Sequence, residues 1–528
     1  MLTTERTLGP GDVLRTGTKG VYRSLAAGSG EPHRRREELA SSSSVTAPTT
    51  AAMTPIAVLA HLTDLHVMDP SSPTRLEVLA PLQRDGRWRD LLGGAFRPQE
   101  TLTAHAVADI AAVLGDLAGP ATGRPAALAV VTGDNVDNCQ ANEVAAYVTA
   151  LEGGRVRPGS GTGRYEGVQQ PGWGSTWFWQ PDADGDRAQT AWGFPHVPGF
   201  LDRVSRPFDA PGLSIPWLAC YGNHDALLLG TTRANAAMRA IAVGARKASG
   251  PDPSFDPDDP LAVYLLEPEA LLRGPAFAVT PIEGRRIVDR DDFLAAHFGP
   301  RSRPRGHGFA APSGLAQYSF GVEGSSALRI VVLDTTHPAG YWDGSIDAAQ
   351  LAWLDDELTA ADRDRVLVVL ASHHATPSLV NTYIASDDEQ SPPDGHPRLL
   401  AADLVAVLHR HPCVVAWLNG HHHQNRVVPH GRPGGGFWEI TTAAIIDWPC
   451  QARLVELVDE GDGHLALVCT MVDLPAPVCP GDDIDAPDWC ASIHRELAAN
   501  QSWQHGGRLM GGVDDRNVTL ALPHPYRH

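Results

Sequence analysis

A chain of 528 residues with 43% hydrophobic and 20% charged side chains holds ample material for a large core, which excludes a wholly disordered or low-complexity protein. A formal net charge of −20 repels nucleic-acid backbones and anionic membrane surfaces, so no nucleic-acid duplex binding is expected. No run of about 18 apolar residues offers a membrane span, and the seven scattered cysteines read as reduced thiols of a cytoplasmic protein rather than a disulfide framework.

Residues 1–52, rich in Gly, Ser, Thr and Arg with little periodicity, read as a flexible leader. Their basic run His33-Arg34-Arg35-Arg36 invites a twin-arginine export reading, in which Cys479 and Cys490 would be free to pair. Glu37-Glu38-Leu39-Ala40 and a serine stretch follow where export needs an apolar segment, so the run is taken as a solvated part of the leader.

The folded part is expected to begin with an apolar strand over 56–60, ending at His61-Leu62-Thr63-Asp64. Apolar strands over 126–131, 217–221, 328–333, 366–371 and 414–418 likewise stop at clusters of Asp, Asn, Gly and His. Helical periodicity covers 102–117, 348–358 and 399–409. Strand, polar loop and helix in alternation point to an α/β fold, with ligand-binding loops at the carboxyl ends of the strands. After Trp438 the chain turns strand-like, over 439–446, 453–458 and 465–472, which predicts a second sheet packed on the first. Residues 53–473 are thus read as one domain, followed by a mostly irregular tail over 474–528. Two insertions interrupt it, one over 152–212 rich in Gly, Pro and Trp, the other over 226–315. Loops of that length are expected to wall a pocket, although tryptophans beside Pro and Gly also serve as the small core of a long loop.

Five strand-end loops carry metal-ligating residue types. Asp64-Leu65-His66 places a carboxylate and an imidazole two residues apart, on one side of an extended segment. Gly133-Asp134-Asn135-Val136-Asp137-Asn138 offers Asp134 at a sharp turn, and Gly222-Asn223-His224-Asp225 offers a neutral amide oxygen and a neighbouring histidine. Ser372-His373-His374 and Gly420-His421-His422-His423 crowd imidazoles together, for which a metal ion is the natural partner. Mixed nitrogen and oxygen ligands without cysteine suit Mn, Fe or Zn. Asp137, Asn138 and Asp225 stand close enough to orient those ligands or to shape their loops.

Taken in order, these five motifs resemble the calcineurin-like metallophosphoesterase superfamily, as do Val331-Val332-Leu333-Asp334-Thr335 and Gln350-Leu351-Ala352-Trp353-Leu354 between the third and fourth motifs. The resemblance implies a two-sheet α/β sandwich with outer helices, whereas the alternation alone equally permits a single doubly wound sheet. It implies that Asp64, His66 and His423 hold one divalent or mixed-valence ion, that Asn223, His373 and His421 hold a second, and that Asp134 bridges them. His224 would serve as the catalytic proton or hydrogen-bond donor. The family commonly has His-x-Pro where this chain has His373-His374-Ala375, so His374 stays an alternative to His373; His422 should turn away from the metals.

The function implied is cleavage of a small-molecule phosphomonoester or phosphodiester by a metal-bridging hydroxide. The alternative is a catalytically silent scaffold that binds a partner, although scaffolds of this kind usually lose metal ligands. A metallo-β-lactamase-type hydrolase would need a His-x-His-x-Asp-His string, which this chain lacks.

Overall fold

The apolar runs assemble into two large mixed sheets in the computed structural model, which describes residues 1–40, 53–92, 94–325, 327–382, 398–504 and 506–527. The seven-stranded sheet runs, edge to edge, Arg34–Arg36, Val518–Pro523, His464–Asp473, Gln451–Asp459, Thr54–Leu62, Leu128–Val131 and Trp217–Ala219. The six-stranded sheet runs Tyr318–Gly321, Leu328–Val332, Leu367–Ala371, Val414–Asn419, Gly435–Thr441 and Arg426–Arg432. The last three strands of the first sheet are parallel, and so are the middle four of the second. Their near-continuous Val, Leu and Ala runs suit strands buried on both faces.

Period-two alternation sorts the second sheet's side chains between two layers. Ile330, Val332, Val369, Ala371, Ala416 and Leu418 join the core that also contains Leu59, Val130 and Leu454 of the first sheet. Val331, Val368, Leu370, Val414 and Trp417 pack instead with Leu354 and Leu358 of helix Ala348–Asp364, and with Leu404 and Leu408 of helix Ala401–Arg410. The result is a two-sheet α/β sandwich with helices outside. Helix Ala348–Asp364 starts where the Asp347 side chain accepts from the Gln350 N–H, and it ends on left-handed Arg365. The Gln350 amide clasps both backbone groups of Asp334 at 2.8 and 2.7 Å, which ties this helix to the loop after strand Leu328–Val332.

The sheets do not divide where the sequence suggested. Gly435–Thr441 completes the six-stranded sheet, whereas Gln451–Asp459 and His464–Asp473 return to the seven-stranded one beside Thr54–Leu62. Strand character is local, but the choice of partner is a long-range packing decision.

The leader differs too. Within residues 1–40, Arg6–Thr16 and Val21–Ser29 form an antiparallel hairpin, and Arg34–Arg36 extends the sheet edge parallel to Val518–Pro523. Arg35 pairs with Glu460 at 2.7 Å, and the Arg36 guanidinium lies 4.9 Å from the Trp438 ring. An edge strand faced by solvent needs few apolar residues of its own, which is why composition read as disorder. Residues 41–52 of the expected leader lie outside the described residues. The tail expected to be mostly irregular holds helix Trp489–Gln504 and strand Val518–Pro523. Buried Arg453 binds it by donating to the carbonyls of Asp515 and Arg516 at 2.9 and 3.0 Å.

The first insertion is closed at its base by strands Gly154–Val156 and Phe208–Ala210. Fully buried Trp179 donates from its indole N–H to the Pro195 carbonyl at 2.9 Å and packs on Phe194 and Phe200. Trp177 lies beneath the Arg84 and Arg187 guanidiniums. Trp179 thus belongs to a small core that also takes in Tyr22, Leu102 and Trp489, and Trp177 packs against the main core, so the insertion is tied to the rest of the molecule. The second insertion carries helices Ala236–Val243, Pro260–Leu266 and Arg290–Ala296, anchored by buried Lys247 on Glu77 and Arg285 on Asp69.

Among the described residues no helix is long and apolar enough to cross a membrane. All seven cysteines are free thiols, Cys479 and Cys490 included.

Tyr22 tests the ordering of the N-terminal segment, because its ring is buried and its hydroxyl donates to Glu496 at 2.9 Å. Tyr22→Ala should cost about 3–5 kcal/mol in denaturant unfolding; a loss within about 0.5 kcal/mol would restore the flexible-leader reading.

Candidate metal centre

The carboxyl ends of the parallel strands from both sheets meet at one place. Asp64 follows Thr54–Leu62, Asp134 follows Leu128–Val131 and Asn223 follows Trp217–Ala219, all from the first sheet. His373 follows Leu367–Ala371, and His421 and His423 follow Val414–Asn419, from the second. Four of these residues, and His66 beside Asp64, have left-handed backbone: Asp64 (φ 51°), His66 (43°), Asp134 (49°), His421 (68°) and His423 (54°). Such conformations cost a non-glycine residue roughly 1–3 kcal/mol each and persist where the surroundings impose them. The pairing of Asp64 with His66 therefore does not arise from an extended segment; two left-handed residues turn both side chains to one side, 4.0 Å apart. Gly222 and Gly420 allow the loops to close, because a Cβ at either would collide with Asp134 or Asp64.

Asp134 sits at the centre. Its Oδ2 lies 3.7 Å from His66 Nε2 and 3.1 Å from His373 Nε2, and its Oδ1 accepts from the His224 backbone N–H at 2.9 Å. Asp64, His66 and His423 present ligand atoms within 4.8 Å of one another, and so do Asp64, Asp134 and His373. Asp64 Oδ1 lies 3.3 Å from His423 Nε2, and the Asp64 carboxylate accepts the His421 backbone N–H.

The donor atoms fit metal ions. His66 Nδ1–H donates to Asp137 at 3.0 Å and His423 Nδ1–H to Asp447 at 2.6 Å, so the Nε2 atoms of both rings face inward, only 3.2 Å apart. His373 Nδ1–H donates to the Thr132 carbonyl at 2.8 Å, leaving its Nε2 3.2 Å from His421 Nδ1. Lone pairs facing each other at such distances need a cation or a proton between them. Buried Asn223 uses its amide N–H on the Gly230 carbonyl at 2.9 Å, while its Oδ1 has no hydrogen-bond partner. A buried carbonyl oxygen without a donor suits an oxygen ligand to a metal.

His374 also lies within reach of His373 and His421. Both of its nitrogens are engaged, however, Nδ1 with the Thr335 hydroxyl at 2.8 Å and Nε2 with the Trp342 carbonyl at 3.1 Å. His422 is exposed. His224 is half-buried, its Nδ1–H fixed on the Asp137 carbonyl at 2.7 Å and its ring 4.5 Å from that of His66. Asp225 shapes the loops, accepting from the backbone of Gly222, Asn135 and Val136. Asn138 links two more, accepting from the Leu229 N–H and donating to the Thr74 hydroxyl.

Sequence reasoning missed Asp447, which orients His423 and is gripped by Arg97 Nε at 2.8 Å. It also missed Arg75, which pairs with Asp137. Asp447 does end an apolar run, the same signal that exposed the other loops, but it lacks a neighbouring His or Gly-Asp pattern. The second insertion contributes Leu261, Leu265 and Leu266 to a cavity of about 550 Å³ also lined by Tyr341 and Asp343, which flank Trp342, the residue whose carbonyl meets His374. The Thr231 carbonyl accepts from the Tyr341 N–H at 2.7 Å, and thus ties this insertion to the cavity wall.

No protein-family model matches the chain. It is similar to a manganese-dependent ADP-ribose/CDP-alcohol diphosphatase from Xenopus tropicalis, at 26% identity over 185 residues, or 31% of this chain and 48% of that protein. The chain thus spans about half the length of the curated relative it matches. Motif order, sheet topology and this likeness support a calcineurin-like metallophosphoesterase fold. A crystal structure of a dimetal phosphatase from Danio rerio also overlaps 80% of this chain and 100% of its own, at 11% identity and a TM-score of 0.35.

Protonation of the metal-free centre follows from its charges. Burial disfavours the charged form of His373, but Asp134 overrides it and pushes the ring up to about 9. Burial is likewise overcome at His423 by Asp64 and Asp447, which push it up to about 10, whereas burial and then His224 push His66 down to about 4. Two imidazoles of metal-free protein are therefore protonated at pH 7, and an incoming cation must displace those protons. Apparent Mn²⁺ affinity, followed by calorimetric titration, should rise from pH 6 to pH 9 with proton release; a flat profile would contradict this. Because both folded-state values are raised above 6.5, their contribution to the stability of metal-free protein is complete below pH 6.5 and lost as pH climbs through about 9 to 10.

Proposed function

We propose that the protein is a dinuclear metal-dependent phosphoesterase acting on a small-molecule phosphate compound. The observation that carries this reading is the convergence of inward-facing imidazole nitrogens and the unpartnered Asn223 Oδ1 around one shared carboxylate, Asp134. Asp64, His66 and His423 would hold one ion, Asn223, His373 and His421 the other, and Asp134 would belong to both. Both nitrogens of His374 are committed elsewhere, which favours His373 as the ligand. Bound ions would supply a bridging hydroxide at neutral pH and neutralise charge on the phosphoryl oxygens.

The rest of the chemistry falls to the protein's own groups. His224 is fixed at Nδ1, so its Nε2 would face the site to protonate or hydrogen-bond the leaving oxygen. The strained loops would keep the ligands from collapsing onto each other. Nitrogen and oxygen donors without sulfur suit manganese, as does the name of the Xenopus relative, a manganese-dependent diphosphatase. The cavity lined by Tyr341 and Asp343, on either side of the Trp342 partner of His374, would accommodate the non-phosphate part of the substrate, with the second insertion as its wall.

Release of nitrophenol from mono- and bis-nitrophenyl phosphate with added Mn²⁺, together with turnover of ADP-ribose and a CDP-alcohol, tests the reading. Activity should appear with manganese, disappear with chelator and fall below detection in Asp134→Ala. His224→Gln should retain metal and lose roughly 10²–10⁴-fold in kcat. Silence across metals, pH and all four substrates would favour the scaffold, and an active Asp134→Ala would remove the shared carboxylate from the mechanism.

A further inference from the structure

The imidazoles on the two sides of Asp134 are held by unlike partners. On the Asp64 side, His66 and His423 each donate from Nδ1 to a carboxylate, buried Asp137 at 3.0 Å and half-buried Asp447 at 2.6 Å. The second oxygen of each carboxylate is taken by a buried arginine: Arg75 on Asp137 Oδ2, and Arg97 Nε on Asp447 Oδ1 at 2.8 Å. Both guanidiniums are fixed in turn, Arg75 by Glu100 at 3.1 Å and the Ala95 carbonyl at 3.2 Å, Arg97 by the Gly94 carbonyl at 2.8 Å. Gln99 donates to Asp447 from the same stretch. On the Asn223 side the partners are neutral carbonyls, Thr132 behind His373 and Gly230 behind Asn223.

This difference has a physical consequence. A carboxylate accepting the Nδ1–H polarises the ring more strongly than a carbonyl does, fixes its tautomer and raises the donor strength of Nε2. The arginine cancels most of the pair's net charge, so what remains is orientation and a more basic ligand. Two such rings serve one side of the centre and none of the contacts above supplies one to the other.

We propose that Arg75–Asp137 and Arg97–Asp447 are matched positioning pairs that make the Asp64/His66/His423 side the tighter ion site and leave the Asn223/His373/His421 side the exchangeable one. The inference rests on the ligand assignment proposed above. It also gives the segment containing Arg75 and Arg97, which precedes helix Thr103–Leu114, a role in the chemistry without contact to substrate.

The test is calorimetric Mn²⁺ titration of full-length, chelator-stripped protein, in wild type, Asp447→Asn, Arg97→Met and Arg97→Lys. Wild type should show two classes of site separated by at least about tenfold. Asp447→Asn and Arg97→Met should weaken the tight class by about 10–100-fold and leave the weak class within about twofold, with Arg97→Lys partly restored. A general structural lesion would shift both classes together, and circular dichroism identifies a variant that fails to fold, in which case Arg97→Lys carries the comparison. Two equal sites in wild type, or variants that weaken both classes alike or neither, would overturn the proposal. If wild type binds no Mn²⁺ at all, the ligand assignment itself fails; if it binds two ions and turns over while the variants bind normally, only the positioning pairs fall.

Discussion

Everything in this protein is arranged around one buried carboxylate that two sheets must share. Asp134 lies between His66 and His373, and Asp64 lies close by, both removed from water. Two carboxylates and several inward-facing imidazoles at such separations repel or crowd one another unless cations stand among them. The nearby arginines do not serve, because Arg75 and Arg97 are turned to Asp137 and Asp447 behind the histidines. In the metal-free protein the protons on His373 and His423 offset that charge, and the proposed metal ions would take their place.

Holding that arrangement requires backbone that ordinary residues avoid. Left-handed conformations at Asp64, His66, Asp134, His421 and His423 persist because each loop is pinned from several directions. Asp225 pins the Asp134 loop to the Asn223 loop through the backbone of Asn135, Val136 and Gly222. The Asp64 carboxylate meets the His421 N–H from the other sheet. Rigidity comes from the sandwich beneath, whose parallel strands end in these loops, and the ligands gain their positions from it rather than from local sequence.

Much of the centre was nevertheless legible before the fold was known. Asp64, Asp134, Asn223, His373, His421 and His423 each end an apolar run, and a buried strand that stops at a ligand-type residue is a signal with a cause: in parallel sheets, polar groups emerge at the carboxyl ends. The supporting carboxylate and arginines were not legible. Asp447 sits beyond a strand in a loop with no repeated pattern, and Arg75 and Arg97 look like any surface arginine until folding buries them. The N-terminal hairpin and Arg34–Arg36 were hidden for another reason: a strand that borrows its apolar face from a distant partner shows no hydrophobic period of its own.

The sequence alone determined the α/β alternation, the order of the five ligand loops and the nitrogen and oxygen chemistry they offer, because strand burial and ligand type are properties of short segments. Tertiary structure alone decided which sheet received Gln451–Asp459 and His464–Asp473, which nitrogens of His373 and His374 stay free, and which carboxylates stand behind His66 and His423. Those outcomes depend on contacts beyond any local window, from 24 positions between His423 and Asp447 to 241 between His373 and Thr132, and no local pattern encodes the direction in which a side chain points once the backbone around it has been forced left-handed.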